Sequence, residues 1–290
     1  MSPNSRPKIK CLAAFIHFGL LSFFIACSTG AGKGRTAARN ELEQPTGGML
    51  TGVVPCSRPP GFWPFATDGA VSLTYDDALK SPVRHALPAL DAHGFKATFF
   101  LTTGKRWEPA LWKPLARNGH ELASHSVTHN STLTRAAMEQ EVVTSLASIA
   151  ALEATQPHFS FAYPNGQPNG ADGSYEPVVL RHALAARGLN GASLALGTPV
   201  DYGNIPARIL GASDDLVAII HETLERHQWT VFVVHGIEDD LYLNIPKKKH
   251  DELVALLARK NVWVAPFITV ADYLKRCQAR VSEVAGDASG

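Results

Sequence analysis

Two short stretches of the sequence combine residue types that bind metal ions and move protons. Asp76 and Asp77 are adjacent carboxylates at the end of an apolar run, and His125 and His129 lie four residues apart. Two imidazoles at this spacing can project from one face and hold a single divalent cation. A carboxylate from Asp77 would complete a His-His-Asp set with open positions for water and substrate. The alternative is that the two histidines cap or cover a surface in a His-rich chain.

The elements that must position these residues follow a regular alternation. Apolar runs predict strands, helical stretches follow most of them, and this repeat indicates a parallel sheet covered by helices. Seven or eight such units in about 220 residues favour a closed or nearly closed barrel. In such folds catalytic groups lie at the carboxyl ends of strands, where the two aspartates are found. The predicted strands are Ala70–Tyr75, Ala97–Thr102, Glu121–Ser124, Phe159–Tyr163, Ala192–Leu196, Thr230–Val234 and Val262–Pro266.

The helices between the strands are predicted from periodicity and from turn residues at their ends. The predicted helices are Pro82–His93, Ala110–Asn118, Leu133–Ala154, Glu176–Arg187, Asp214–Arg226, Lys248–Arg259 and Val270–Arg276.

The two chemistry-bearing stretches together resemble a known family. Thr74–Asp77 is similar to the first motif of the polysaccharide deacetylases, with Tyr75 in place of Phe, and His125–His129 is similar to their second motif. The family includes chitin, peptidoglycan and acetylxylan deacetylases. The resemblance runs from about Ala70 to Lys275. It implies an α/β fold, a distorted (β/α)7-type barrel with one catalytic domain, and metal-assisted removal of acetyl groups from a sugar.

The resemblance also implies roles for individual residues. Asp77, His125 and His129 would bind the metal, and Asp76 would be the general base. The chemistry is consistent, because a divalent cation lowers the pKa of its bound water toward about 7 and a nearby carboxylate can accept the proton. The cation also relieves repulsion between the adjacent aspartates. We expect one divalent ion, zinc first, with cobalt, nickel or manganese also accepted by such donors.

A third stretch departs from the family pattern. Ala162 stands where the family has an arginine that orients the base, and Asn165 stands where a tyrosine contributes a backbone N–H to the oxyanion site. A backbone donor is independent of the side chain, so Asn165 can still serve. Arg208 could supply the missing charge, or it is simply a surface residue. Asp201 is the nearest candidate for the family's fourth, Asp-rich motif.

The run Trp229–Ile237 resembles the family's last motif, a strand that ends in Leu-x-His. His235 would be the general acid that protonates the departing amine or alkoxide. Val233 would line the small pocket for the acetyl methyl group. A histidine at a strand end is otherwise equally typical of a structural hydrogen bond.

The first residues of the chain predict export. Basic residues precede an apolar stretch, Cys11–Ala26, as in a secretory signal. The stretch is shorter than the roughly 20 residues of a membrane span. Ala26-Cys27 resembles a bacterial lipoprotein cleavage site, so residues 1–27 are predicted to be a signal peptide with a lipid anchor on Cys27. An ordinary cleaved signal is the alternative.

The remaining chain is predicted to contain one folded domain. Residues 28–60 are rich in small and turn-forming types and predict a flexible linker, 61–280 the catalytic domain, and 281–290 a disordered tail. Cys56 and Cys277 could pair in an oxidising compartment, but their spacing alone leaves this open.

These observations favour an exported, periplasmic or membrane-anchored deacetylase of an acetylated polysaccharide or oligosaccharide. The net charge of +1, with no basic run beyond Lys247–Lys249, gives no footprint for nucleic acid. Two alternatives remain. One is a hydrolase of small non-peptide amides on the same fold, and the other is a non-catalytic glycan-binding protein of the cell envelope.

Overall fold

The computed structural model describes Val54, Cys56 and residues 63–104, 107–152, 156–191, 193–239 and 243–287. The predicted signal peptide, 1–27, lies outside the described residues, as does most of the predicted linker. All described residues belong to one unit, Leu42–Gly290.

A curled, mostly parallel sheet organises the described residues. Its strands follow the order β7-β4-β3-β2-β1-β10-β8, with β11 also paired to β1 and β9 to β10. Only β8 is antiparallel among these pairings. The predicted α/β fold with a distorted barrel is confirmed, and the sheet is strongly curled into a half-barrel rather than closed. The strands are β1 (Gly69–Tyr75), β2 (Thr98–Leu101), β3 (Glu121–Ser124), β4 (Ser160–Ala162), β5 (Asn169–Gly170), β6 (Gly173–Ser174), β7 (Ala185–Arg187), β8 (Leu194–Ala195), β9 (Arg208–Ile209), β10 (Gln228–Val234) and β11 (Val262–Val264).

Helices cover the convex side of this sheet and one helix closes its concave side. The helix predicted over 82–93 is divided, because Pro88 lacks an N–H and its ring collides with the preceding turn. The helices are α1 (Ser81–His85), α2 (Leu87–Ala92), α3 (Pro109–Arg117), α4 (Arg135–Ala150), α5 (Glu176–Val179), α6 (Leu216–Glu225), α7 (Lys247–Leu257) and α8 (Phe267–Asp287).

The largest departure from the predicted elements lies between 176 and 187. The expected single helix is the short α5, followed by the strand β7, which pairs in parallel with β4. Alanine favours helices by only about 0.5 kcal/mol per residue over most other types, so full burial of β7 in the sheet overrides that preference.

Alternation along the strands separates two cores. Side chains of successive strand residues point to opposite faces. Val71, Leu73 and Tyr75 pack in the core under the helices α1, α2, α3, α6 and α7. Ala70, on the other face of β1, packs in a second core with Phe267 of α8. We call this second, concave side the inner face of the sheet.

Both ends of the described domain are tied together. Cys56 and Cys277 form a disulfide, and Val54 is buried. Two residues of the predicted flexible linker are therefore anchored to the domain. Helix α8 continues to Asp287, so the tail predicted as disordered from 281 begins within a helix. In the described ranges, no helix combines the length and apolar content that a bilayer crossing requires.

Candidate active site

Asp76 continues the inward-facing set of β1. Ala70, Ser72 and Thr74 point inward by alternation, and Asp76 follows two residues later. Its backbone N–H donates to Val234 O of β10 at 3.0 Å, which prolongs the ladder past the strand end. The Asp76 carboxyl is only 2% exposed. A buried carboxylate of this kind requires a partner to remain charged.

Arg187 is that partner. It stands directly opposite Ala162 in the β4–β7 register, so the guanidinium enters from the strand adjacent to the position where the family's arginine is missing. Its Nη2 donates to Asp76 Oδ2 at 2.5 Å, and its guanidinium lies 5.0 Å from the centre of the Phe100 ring. Burial by itself would raise the pKa of Asp76. Burial is the largest single influence, but the positive charge of Arg187, the charges of His125 and His235 and the hydrogen bond from Arg187 together outweigh it and hold that pKa below its usual value.

The residues expected to support the base lie elsewhere. Arg208, the proposed substitute for the missing arginine, is partly exposed and pairs with Asp214 at 3.9 Å. Asp201 accepts a hydrogen bond from Gly203 N at 2.9 Å. Among the described residues, Arg187 rather than Arg208 is the arginine that contacts Asp76. Arg187 was not predicted as a site residue, because the sequence pattern places it at the end of a helix, whereas it ends the strand β7.

Asp77 and the two histidines converge beside Asp76. Asp77 Oδ1 lies 3.6 Å from His125 Nε2 and 3.4 Å from His129 Nε2. One ligand atom from each of the three residues lies within 4.8 Å of the others. Asp77 has a left-handed backbone, with φ of 69°, which turns its side chain out of the strand direction taken by Asp76. Thr102 Oγ1 donates to Asp77 O at 3.2 Å and holds this turn.

His125 is oriented for metal binding by its second nitrogen. Its Nδ1 donates to Ala162 O at 2.8 Å, so Nε2 faces the aspartates. Such a bond on the second nitrogen is typical of metal-ligating histidines, because it fixes the tautomer and the ring plane. Burial lowers the pKa of His125 to about 4, against the opposing charge of Asp76. The ring is therefore neutral near pH 7, as a ligand must be.

These donors fit the divalent cation that the family implies. One carboxylate and two imidazole nitrogens match the ligands of zinc and similar ions. Asp76 Oδ1 is buried and has no hydrogen-bond partner among the described residues. A buried carboxylate oxygen without a donor indicates a place for a polar ligand such as water.

His235, Val233 and Asn165 border the same end of the sheet. His235 follows β10 on the inner face, is 8% exposed, and is close enough to affect the charge of Asp76. Val233, two residues earlier, is fully buried in the inner core. Asn165 is exposed with φ of 55°, a region that Asn tolerates better than most residues, and its Nδ2 donates to Ser131 Oγ at 3.1 Å. The backbone at 164–166 is a tight turn, and a Cβ on Gly166 would lie 2.5 Å from Leu189.

Comparisons with known proteins agree with this arrangement. Residues 66–174 match the sequence profile described as Polysaccharide deacetylase, and this segment includes both aspartates and both histidines. Over 145 residues, 49% of this chain, the sequence is 33% identical to a gellan lyase from a Bacillus species, and the match spans 5% of that protein's length.

Solved structures share the fold at low sequence identity. A candidate polysaccharide deacetylase from Mycobacterium smegmatis superposes with a TM-score of 0.53 and 16% identity, over 78% of this chain and 96% of that one. A family 4 acetyl xylan esterase from Clostridium thermocellum, solved with a cobalt ion, gives a TM-score of 0.49 and 19% identity over 71% of this chain and 91% of that one. The first likeness shows that this chain shares its fold with that protein.

Through its segment 66–174, the chain resembles the polysaccharide deacetylase family. This is a family of metal-dependent carbohydrate deacetylases.

Proposed function

We propose that this protein is a metal-dependent hydrolase that removes acetyl groups from an N- or O-acetylated carbohydrate. The observation that carries the proposal is the meeting of Asp77, His125 and His129 within 4.8 Å. Beside them lies a second buried carboxylate, Asp76, with one oxygen unpartnered among the described residues. The resemblance of residues 66–174 to the polysaccharide deacetylases supports acetyl as the group removed.

Asp77, His125 and His129 would hold one divalent cation, with zinc the first choice and cobalt, nickel or manganese also suited to these donors. Such a cation, when bound, lowers the pKa of water and polarises a carbonyl oxygen. The negative charge of Asp77 and the neutral ring of His125 suit it electrostatically. The Nδ1 hydrogen bond of His125 keeps that ring from rotating away.

Asp76 acts as the general base. Its carboxyl is ionised near neutral pH because Arg187 holds its pKa low. Arg187 occupies only Oδ2, which leaves Oδ1 to accept a proton from the attacking water. The water oxygen then bonds to the acetyl carbonyl carbon as its proton passes to Asp76.

His235 completes the reaction as the general acid. When the bond from the acetyl carbon to the sugar nitrogen or oxygen breaks, the leaving atom takes a proton from His235, and acetate is released. The backbone N–H of Asn165 would stabilise the negative carbonyl oxygen formed on the way. Val233 would contact the acetyl methyl group, which limits the acyl group to a small one.

The proposal includes an oxidising compartment for the enzyme and a lipid anchor on Cys27. The Cys56–Cys277 disulfide suits an oxidising compartment, since cytosolic thiols are kept reduced. Export through the predicted signal would place the enzyme in the periplasm or outside the cell, with Cys27 as the site of a lipid anchor. Its substrate would be an acetylated polysaccharide or oligosaccharide in that compartment.

Acetate release tests the proposal. The full chain, with its metal content measured, is incubated with acetylated chitin, peptidoglycan and xylan fragments and, in parallel, with small amides. We expect acetate from at least one acetylated carbohydrate, loss of release on chelation, and recovery with zinc or cobalt. His129→Ala should abolish metal binding, whereas His221→Ala, which removes an exposed histidine on α6, should not.

Three outcomes would contradict the proposal. Turnover of small amides alone would favour an amidase. Glycan binding without acetate release by the metal-replete protein would favour a binding protein. Undiminished acetate release after complete removal of metal would exclude a metal-dependent reaction.

A further inference from the structure

The loop between the two site histidines has a strained backbone. Ser126 and His129 both have left-handed conformations, with φ of 65° and 59°. Residues other than glycine in this region cost on the order of 1 kcal/mol each and persist only where the surroundings hold them. Inside the loop, His129 N donates to Ser126 Oγ at 2.9 Å, and the other bonds that hold these conformations come from neighbouring elements.

Glu141 of α4 supplies that support from one side. Its Oε2 accepts hydrogen bonds from Val127 N and Thr128 N, both at 2.7 Å, and its Oε1 accepts from Thr128 Oγ1 at 3.1 Å. Bonds to an ionised acceptor are about twice as strong as neutral ones. One carboxylate thus binds the two backbone N–H groups at the centre of the histidine loop.

The opposite side of the loop is held by the segment after β2. Thr103 N donates to Ser126 O at 3.1 Å. A Cβ at Gly104 would lie 2.4 Å from Val127 O, so the two backbones approach as closely as glycine allows. The loop therefore lies between this backbone on one side and Glu141 on the other.

Helix α4 does not itself need Glu141. Its N-terminus is capped by Thr134 Oγ1, which accepts from Ala137 N. Its apolar face packs through Met138 and Val142 in a separate core. The three bonds of Glu141 therefore act on the histidine loop rather than on the helix that carries them.

We propose that Glu141 is a positioning residue for the metal centre, which holds the 126–129 loop so that His129 faces Asp77 and thereby sets the affinity for the divalent cation. The inference rests on the proposed function, since it requires a metal at Asp77, His125 and His129. Residues behind metal ligands typically change affinity about 10- to 100-fold when removed.

Metal affinity, rather than turnover, tests this. The dissociation constant for Co²⁺ is measured by equilibrium dialysis of the full chain, and urea unfolding of the metal-free protein reports folding. Glu141→Ala should weaken binding about 10- to 100-fold. Glu141→Gln retains an oxygen that can accept both N–H groups and should stay within about threefold of wild type.

Glu139→Ala is the matched control. Glu139 is also on α4, but it pairs with Arg181 and His182 on the surface. We expect its loss to leave the Co²⁺ dissociation constant within about twofold of wild type, because it makes none of the three loop bonds.

The outcomes separate the two proposals. Wild-type protein that binds no Co²⁺ at the three ligands would overturn the metal-dependent function, and this inference with it. Wild-type protein that binds, together with a Glu141→Ala variant of equal affinity, would overturn the role of Glu141 alone. If Glu141→Ala does not fold, Glu141→Asp decides, because it keeps the charge but shortens the reach by one methylene. Equal affinity in that variant would overturn the role as well.

Discussion

Two buried carboxylates lie at opposite ends of the strands, and their surroundings differ. Asp76, past the carboxyl end of β1, is paired with Arg187 and keeps Oδ1 without a partner among the described residues. Glu121 begins β3. Its oxygens accept from Ser160 Oγ, from Thr98 Oγ1 at 2.7 Å and from Ile268 N at 2.9 Å.

The charge of each carboxyl follows from its partners. A guanidinium holds the pKa of Asp76 low, so it is an anion that can accept a proton. Burial raises the pKa of Glu121 to about 7, against the lowering effect of its neutral donors. Asp76 keeps one oxygen that can accept a proton. Glu121 instead uses its oxygens to join the first residues of three strands to the start of α8. In barrel-like α/β folds, the carboxyl end serves function and the amino end serves stability.

When each carboxyl is replaced by its amide, the two variants should differ most in their rate of acetate release. Asp76→Asn should lower the rate of acetate release about 10²- to 10⁴-fold, the usual contribution of a general base, because the amide cannot accept the proton. Glu121→Gln should leave the rate within about threefold, since it contacts no site residue. The rates are compared at equal metal content, with unfolding curves to show that both variants are folded. A wild-type rate in Asp76→Asn would refute the base assignment.

The stability of the protein should depend on pH through the ionisation of Glu121. The pKa of Glu121 in the folded protein, about 7, exceeds its ordinary value of 4.5, so the folded protein binds more protons across that window. The contribution of Glu121 to the free energy of unfolding is therefore greatest below pH 4.5. It falls by about 3 kcal/mol as the pH rises through 7. Urea unfolding of wild type and Glu121→Gln at pH 5 and pH 8 measures it.

The difference in unfolding free energy between wild type and Glu121→Gln separates the effect of the Glu121 carboxyl from that of the buried histidines. Burial lowers the pKa of both His120 and His250 to about 4, so their contribution is present above pH 6.5 and is lost as pH falls toward 4. The contribution of the two histidines therefore changes with pH in the direction opposite to that of Glu121. Because both proteins contain these histidines, their contribution cancels when wild type is compared with Glu121→Gln. A difference between the proteins that does not change from pH 5 to pH 8 would contradict the raised pKa.

Much of the candidate site could be predicted from the strands themselves. Asp76, His125 and His235 each continue the inward alternation of a predicted strand, so correct strands place them near one another. Their proposed roles remain predictions. Asp77 and His129 depend on left-handed turns that no residue-type pattern in this sequence specifies.

Arg187 could not be predicted, for a local reason. The alanine-rich segment before it has the composition of a helix, and helix was predicted over 176–187. It is a strand because β4 offers a partner and both faces become buried, a condition that depends on the assembled sheet. The contact of Glu141 with the histidine loop and the disulfide across 221 residues depend on tertiary structure in the same way.

The last test compares Arg187 with Arg208, the residue that sequence alone suggested. The positive charge of Arg187 lowers the pKa of Asp76, so Arg187→Met should raise that pKa. Because the base must be ionised, the acid limb of the kcat/KM profile should move to higher pH. Arg208→Met, which removes a guanidinium paired with Asp214, should leave the profile in place. Profiles from pH 4 to pH 8 on metal-loaded protein decide between them. If the acid limb moved in the Arg208 variant but not in the Arg187 variant, the pKa of Asp76 would be set by Arg208 on β9. The difference in charge between Asp76 and Glu121 would then not arise from the Arg187–Asp76 pair.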